Sequence, residues 1–174
     1  MSREVDVVIT YLELPALGSA FRPAARELPP DCELQLERPP EAARIAGEMY
    51  RCVGAEYYWL DRIRWTDDQW REVVDQPGVE LWTARIGARI AGYYELHGDA
   101  SAVEIKYFGL TPPFIGQGVG GPLLSAAVRR ALAIGPGTVK LNTCTLDHPA
   151  ALANYLARGF APVRTARERR VLPT

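Results

Sequence analysis

The chain has 174 residues, of which 48% are apolar and 24% charged, and its formal net charge is −1. That length is a soft prior for one domain, residues 1–174, and suffices to bury a core without staples. The near-neutral balance excludes a global basic field for nucleic acid or an anionic membrane, so any anion site must be local.

Val5, Val7, Ile9 and Tyr11 alternate with other residues and predict a strand over 4–12. The charged start of the chain reads as strand, not as a secretory signal. Pro15, Gly18, Pro23, Pro29 and Pro30 punctuate an irregular segment. Residues 33–37 alternate again and predict a second strand, stopped by Pro39 and Pro40. A helix follows from Glu41 to about Val53. The aromatic segment 56–70 holds Tyr57, Tyr58, Trp59, Trp65 and Trp70, and Thr66-Asp67-Asp68 marks a helix start. Residues 79–97 read as two strands around a Gly87 turn, and Ala102–Leu110 as another strand.

Next comes a helix with Leu123, Leu124, Ala127, Val128, Ala131 and Leu132 on one face, Pro122 in its first turn and Gly135 at its end. Thr138–Thr145 is a strand. Asp147-His148-Pro149 reads as a cap for a short helix ending at Gly159, and Ala161–Val171 as a final strand. Hairpins mixed with helices predict a mixed α+β sheet flanked by helices. Cys32, Cys52 and Cys144 are odd in number and without C-x-x-C spacing, which argues against a disulfide framework or zinc site and for a reducing compartment. No apolar run approaches the roughly 18 residues of a membrane span. The expected location is cytoplasmic.

Residues 103–121 are the most informative stretch. A strand with one carboxylate, Glu104, leads through a Pro-containing turn into a glycine-dense loop that opens into a helix. Glycines let backbone approach a ligand, and a helix start offers unpaired N–H groups to an anion. Gly116, Gly118 and Gly121 satisfy G-x-G-x-x-G, but five residues intervene after the strand, and the 53 residues that follow cannot complete a dinucleotide domain. No G-K-[ST] ends the loop, so it is not a P-loop either.

Here the chain resembles the GCN5-related N-acetyltransferases, the GNAT superfamily. Their pyrophosphate motif is [QR]-x-x-G-x-[GA]; this chain reads Ile115-Gly116-Gln117-Gly118-Val119-Gly120, matching at Gly118 and Gly120 and departing at Ile115. A second family pattern, N-x-x-A-x-x-x-Y-x-x-x-G-F, falls on His148, Ala151, Tyr155, Gly159 and Phe160, with His in place of Asn. The resemblance covers about residues 79–171. It implies a central, mostly antiparallel twisted sheet whose splayed strands form an acetyl-CoA groove. It also implies acetyl transfer to a primary amine by direct attack in a ternary complex, with acetyl-CoA as co-substrate and no metal. A non-catalytic acyl-CoA-binding or regulatory module on the same fold is the rival reading.

The implied cofactor residues are Gly116, Gln117, Gly118, Val119, Gly120 and Gly121 for the pyrophosphate, Phe108, Gly109 and Leu110 for pantetheine and the oxyanion, and His148. Glu104 is the implied base, directly or through water, with Glu95 in reserve; the bland alternative pairs Glu104 with Lys106. On an alternating strand Glu104 shares a face with Lys106 and Phe108, opposite Val103, Ile105 and Tyr107. Tyr155 is the implied acid for the departing thiolate. His148 touches the cofactor, moves a proton, or caps a helix with Asp147, the cheapest reading. His97 reads as an exposed turn residue, and Cys144 as a packed thiol. Most of the tryptophans read as core, and Arg164, Arg167, Arg169 and Arg170 as a solvated strand face. The aromatic segment with Asp61, Arg62 and Asp67 lies where the family places its acceptor lip. The expected acceptor is a small-molecule or peptide amine; a homodimer stays open.

Overall fold

The computed structural model describes residues 2–15, 20–135 and 137–173. Gly18, read as part of the irregular segment, lies outside them. The elements are β1 (Ser2–Leu14), β2 (Cys32–Glu37), α1 (Glu41–Gly54), α2 (Asp67–Val74), β3 (Val79–Ile86), β4 (Arg89–Gly98), β5 (Ala102–Leu110), α3 (Gly120–Ile134), β6 (Thr138–Cys144), α4 (Ala151–Ala157) and β7 (Ala161–Pro173). Every predicted strand and helix is present. Short 3₁₀ turns at Ala55–Tyr57 and Pro112–Phe114 join α1 to the aromatic segment and β5 to the glycine loop.

The strands form one sheet in the order β2-β3-β4-β5-β6-β1-β7. All neighbours are antiparallel except β5 and β6. The first strand does not pair with the second. It lies between β6 and β7, with Ile9 opposite both Cys144 and Ala166.

Helices cover both faces. On one face Ile45, Met49, Tyr50 and Val53 of α1 and Trp70 and Val74 of α2 pack on Leu81 and Tyr93. On the other, Leu123, Leu124, Ala127, Val128 and Ala131 of α3 pack on Leu96, Val103, Ile105, Val139 and Leu141. The face expected of α3 is thus the buried one. Gly109 lets α1 lie close to β5, since a Cβ there would collide with Val53. Thr66 starts α2 as predicted, and Gln69 completes a reciprocal capping box, its side chain accepting from the Thr66 N–H.

Strict alternation fails along β5. Tyr107 stands opposite Glu95, but Ile105 stands opposite Leu96, so Lys106 is an extra residue. Such a bulge returns the next residues to the other face. Phe108 and Leu110 therefore join Val103 and Ile105 in the α3 core, while Tyr107 packs with the α1 core. The predicted shared face of Glu104, Lys106 and Phe108 is corrected accordingly.

Candidate functional site

β5 and β6 pair over only three residues each, Ala102–Glu104 with Thr138–Lys140. Beyond Glu104 they diverge. The opening is a groove of about 740 Å³ with Ile105–Leu110 on one wall, Asn142 and Cys144 on the other, and the glycine loop at one end. The Thr111 N–H bonds the Ala91 carbonyl on β4. Ladder alternation then turns the Phe108 and Leu110 N–H groups away from β4, toward the groove. A strand edge buried without a partner is costly, so this one is suited to an extended polar ligand.

Gly116, Gly118, Gly120 and Gly121 line the groove. Gly116 and Gly118 have φ of 78° and 80°, the left-handed conformation that favours glycine. Gln117 and Val119 do not line it. The Gln117 amide bonds the Pro113 carbonyl at 2.7 Å, and Val119 is buried under α3, so only their backbone is offered to a ligand.

Two arginines that the sequence reading passed over flank this loop. A Cβ on Gly118 would collide with the Arg26 guanidinium, and one on Gly121 would stand 3.0 Å from Arg158 Nη1. Arg26 comes from the segment read only as irregular, which is pinned by the Ala24 N–H to Ser125 Oγ (2.8 Å) and the Arg22 N–H to the Arg158 carbonyl (3.0 Å). Neither guanidinium has a carboxylate within 4.0 Å among the described residues, and Arg158 Nε is buried without a partner. Glycine N–H groups, a helix start and two free arginines fit a pyrophosphate.

Tyr155 lines the middle of the groove with its ring against Phe108 and Phe160. It is 8% exposed. Burial, with Asp147 adding, pushes its phenol well above the ordinary tyrosine value, so it stays protonated. Among the described residues its hydroxyl has no hydrogen-bond partner. Glu104 is elsewhere: it occupies the last paired position of β5, 3.6 Å from the Lys106 ammonium, and does not line the groove. The structure thus does not bring Glu104 and Tyr155 together. Glu95 is 1% exposed and takes two bonds from Arg62 Nη1, at 2.8 and 3.1 Å, so it is not a free base. His97 is not an exposed turn residue; its Nε2 lies against that same carboxylate.

Asp147 does not cap α4. Its carboxylate turns back to accept from Thr143 Oγ1 (2.6 Å) and the Cys144 N–H (2.9 Å). Nor does His148 cap α4: its Nδ1 accepts from the N–H of Ala150, the residue just before the helix, at 3.1 Å, and its ring lines the groove against Tyr57. Cys144 lines the groove too, but burial, reinforced by Asp147, raises its thiol pKa and keeps it un-ionised.

The far end of the groove is aromatic: Tyr57, Tyr58, Trp59 and Tyr107, with Leu60 and Asp61. Tyr50 and Tyr107 both donate to Asp61. Burial pushes that carboxyl up, but the two phenols, with Arg62 nearby, outweigh it and bring the pKa below the ordinary carboxylate value. Trp70 is core and Trp65 half-buried against it, as expected, whereas Trp59 is groove wall. Of the C-terminal arginines, Arg170 also reaches the groove.

An extended slot lies between the splayed strands, with a glycine loop suited to an anion at one end and an aromatic, acidic pocket at the other. The acetyltransferase (GNAT) family model matches residues 42–160, and the chain belongs to that family. No curated protein matches the chain by sequence. Solved structures that share the fold include a GCN5-related N-acetyltransferase from Sphaerobacter thermophilus (18% identity, TM-score 0.73, 99% of this chain and 54% of that one). A tandem GNAT protein from the clavulanic acid biosynthesis pathway aligns at 19% identity and TM-score 0.67, over 98% and 55% of the two chains. An aminoglycoside acetyltransferase from an uncultured soil metagenomic sample, solved with sisomicin, aligns at 13% identity and TM-score 0.58, over 74% and 86%. The chain thus spans just over half the length of the first two.

Proposed function

We propose that this chain is an acetyl-CoA-dependent N-acetyltransferase that moves the acetyl group to a primary amine by direct attack in a ternary complex. The observation that carries the reading is the β5 edge at Phe108–Leu110, unpaired with β6, lying in one groove with Tyr155, whose ring packs on Phe108. The glycine-loop N–H groups with Arg26 and Arg158 hold the pyrophosphate, and the β5 edge holds pantetheine. A Phe108 or Leu110 N–H stabilises charge growing on the thioester oxygen.

A neutral amine nitrogen adds to the thioester carbon, and the carbon–sulfur bond then breaks. Tyr155 gives its proton to the sulfur, and the proton shed by nitrogen returns to the tyrosinate through solvent. A Cys144 acyl intermediate is disfavoured, because its thiol is held un-ionised beside Asp147. Glu104, outside the groove lining, contributes at most through water. Residues 1–174 act as one unit, and the free cysteines suit a cytoplasmic setting.

The test is thermal unfolding with acetyl-CoA against an adenosine control, followed by turnover across an amine panel. A specific ligand at a hundredfold excess over Kd adds about 2.7 kcal/mol. A shift with acetyl-CoA alone, together with amide product, supports the assignment. A shift without turnover of any amine favours the non-catalytic acyl-CoA module, and no shift at all withdraws both.

A further inference from the structure

Asp61 is an odd residue to find at the acceptor end of such a groove. Its two oxygens each accept from a different tyrosine, Oδ1 from Tyr50 at 2.5 Å and Oδ2 from Tyr107. Those phenols are themselves fixed: Tyr50 packs against Trp59, Trp70 and Tyr107 at ring separations of 5.2–5.5 Å, and its oxygen also accepts from the Arg62 N–H. Its nearest cation in sequence, Arg62, does not bond to it; that guanidinium is held by Glu95 and lies over the Trp65 and Tyr107 rings. Lys106 and Arg170, which line the groove, have carboxylates of their own, Glu104 and Glu168. Each Asp61 oxygen keeps a further lone pair, and the residue is exposed to the groove beside Trp59, Tyr57 and Tyr58. A fixed carboxylate among aromatic faces is a receptor for an organic cation.

The reacting nitrogen is a poor candidate for that cation. It must be neutral to attack, whereas a carboxylate partner favours the charged form of an amine. Nor is Asp61 a base for it, since its carboxyl is more acidic than an ordinary one. The charge and the chemistry are reconciled if the two nitrogens are different ones. We propose that Asp61 anchors a second, non-reacting ammonium of the acceptor, so that the substrate class is a di- or polyamine. This rests on the acetyl-transfer reading for the reacting end, but the anchor itself is testable by binding alone.

The experiment is titration calorimetry of the protein, with CoA present and absent, using 1,3-diaminopropane, 1,4-diaminobutane and 1,5-diaminopentane against n-propyl-, n-butyl- and n-pentylamine. At least one diamine is expected to bind about tenfold or more tighter than its monoamine, the scale of one charge-assisted contact. Asp61→Asn should collapse that ratio to about one, with circular dichroism reporting its fold. Equal binding of diamines and monoamines by the wild type overturns the proposal, whether or not Asp61→Asn folds. So does a diamine preference that survives in folded Asp61→Asn. Failure of the acetyl-transfer reading is separately visible, as absence of CoA binding or of amide product.

Discussion

Arg62 and Glu95 form a buried ion pair behind the aromatic end of the groove, at 5% and 1% exposure, with one guanidinium nitrogen reaching both carboxylate oxygens. Removing one member strands the other charge away from water, a cost of about 3–5 kcal/mol. Glu95→Gln and Arg62→Met should each lower the urea midpoint strongly, and the double variant should be less unstable than the sum of the singles. Urea denaturation of the four proteins checks this. Additivity would mean that the pair is not the unit of stability.

Tyr155→Phe should leave stability nearly unchanged, because the hydroxyl has no partner among the described residues, while kcat falls on the order of 100-fold or more. The KM for acetyl-CoA should hardly move. The raised phenol pKa also has a sign. An acid works while protonated, so raising its pKa moves any descending limb to higher pH. With a primary amine, kcat/KM should rise as the ammonium deprotonates and show no fall below about pH 10, the ordinary tyrosine value. A descending limb near neutrality would remove Tyr155 from the role.

Arg26 sets its guanidinium against Gly118, in the loop whose first motif position is Ile115. Arg26→Ala should weaken acetyl-CoA binding by about 10- to 100-fold, the scale of a charge-assisted hydrogen bond, and leave acetyl-pantetheine binding unaffected. Gly118→Ala should do similar damage, since its φ of 80° strains any side chain and its Cβ meets the same guanidinium. Calorimetry with the two donors separates a phosphate contact from a general loss of the groove.

Glu104→Gln should change kcat/KM by less than about threefold. Its carboxylate pairs with Lys106 at 3.6 Å, a half-exposed contact of the kind that contributes about 0–1 kcal/mol. A steady-state assay decides, and a loss above 100-fold would show that water carries a proton between this carboxylate and the groove.

Much of this architecture was legible in the sequence because it rests on local signals. The α3 stripe, the Thr66 start and the Gly87 turn each follow from a few adjacent residues, and the glycine loop between β5 and α3 is marked by its composition. What was not legible is non-local. Period-two alternation cannot reveal a bulge at Lys106, which exists because β4 and β5 slip by one residue. Arg26 lies in a segment without periodicity, and only tertiary packing sets it on Gly118. Glu95 looks like an available base until Arg62, thirty-three positions earlier, is found against it. The tyrosine donors to Asp61 sit on α1 and β5, so no linear motif links them.

The insertion of β1 between β6 and β7 bears on how the molecule comes to exist. During vectorial synthesis β1 emerges before the other six strands, yet both its neighbours, β6 and β7, follow all the rest. Until then its two edges are bare and its apolar residues Val7, Ile9, Leu12 and Leu14 have no sheet to join, a state open to wrong pairing. The glycine loop and β5 can assemble meanwhile, but the opposite wall, Asn142, Cys144 and Arg170, waits for β6 and β7. The nascent domain should therefore need protection from wrong pairing until β6 and β7 are made, and acquire its groove only as β7 closes.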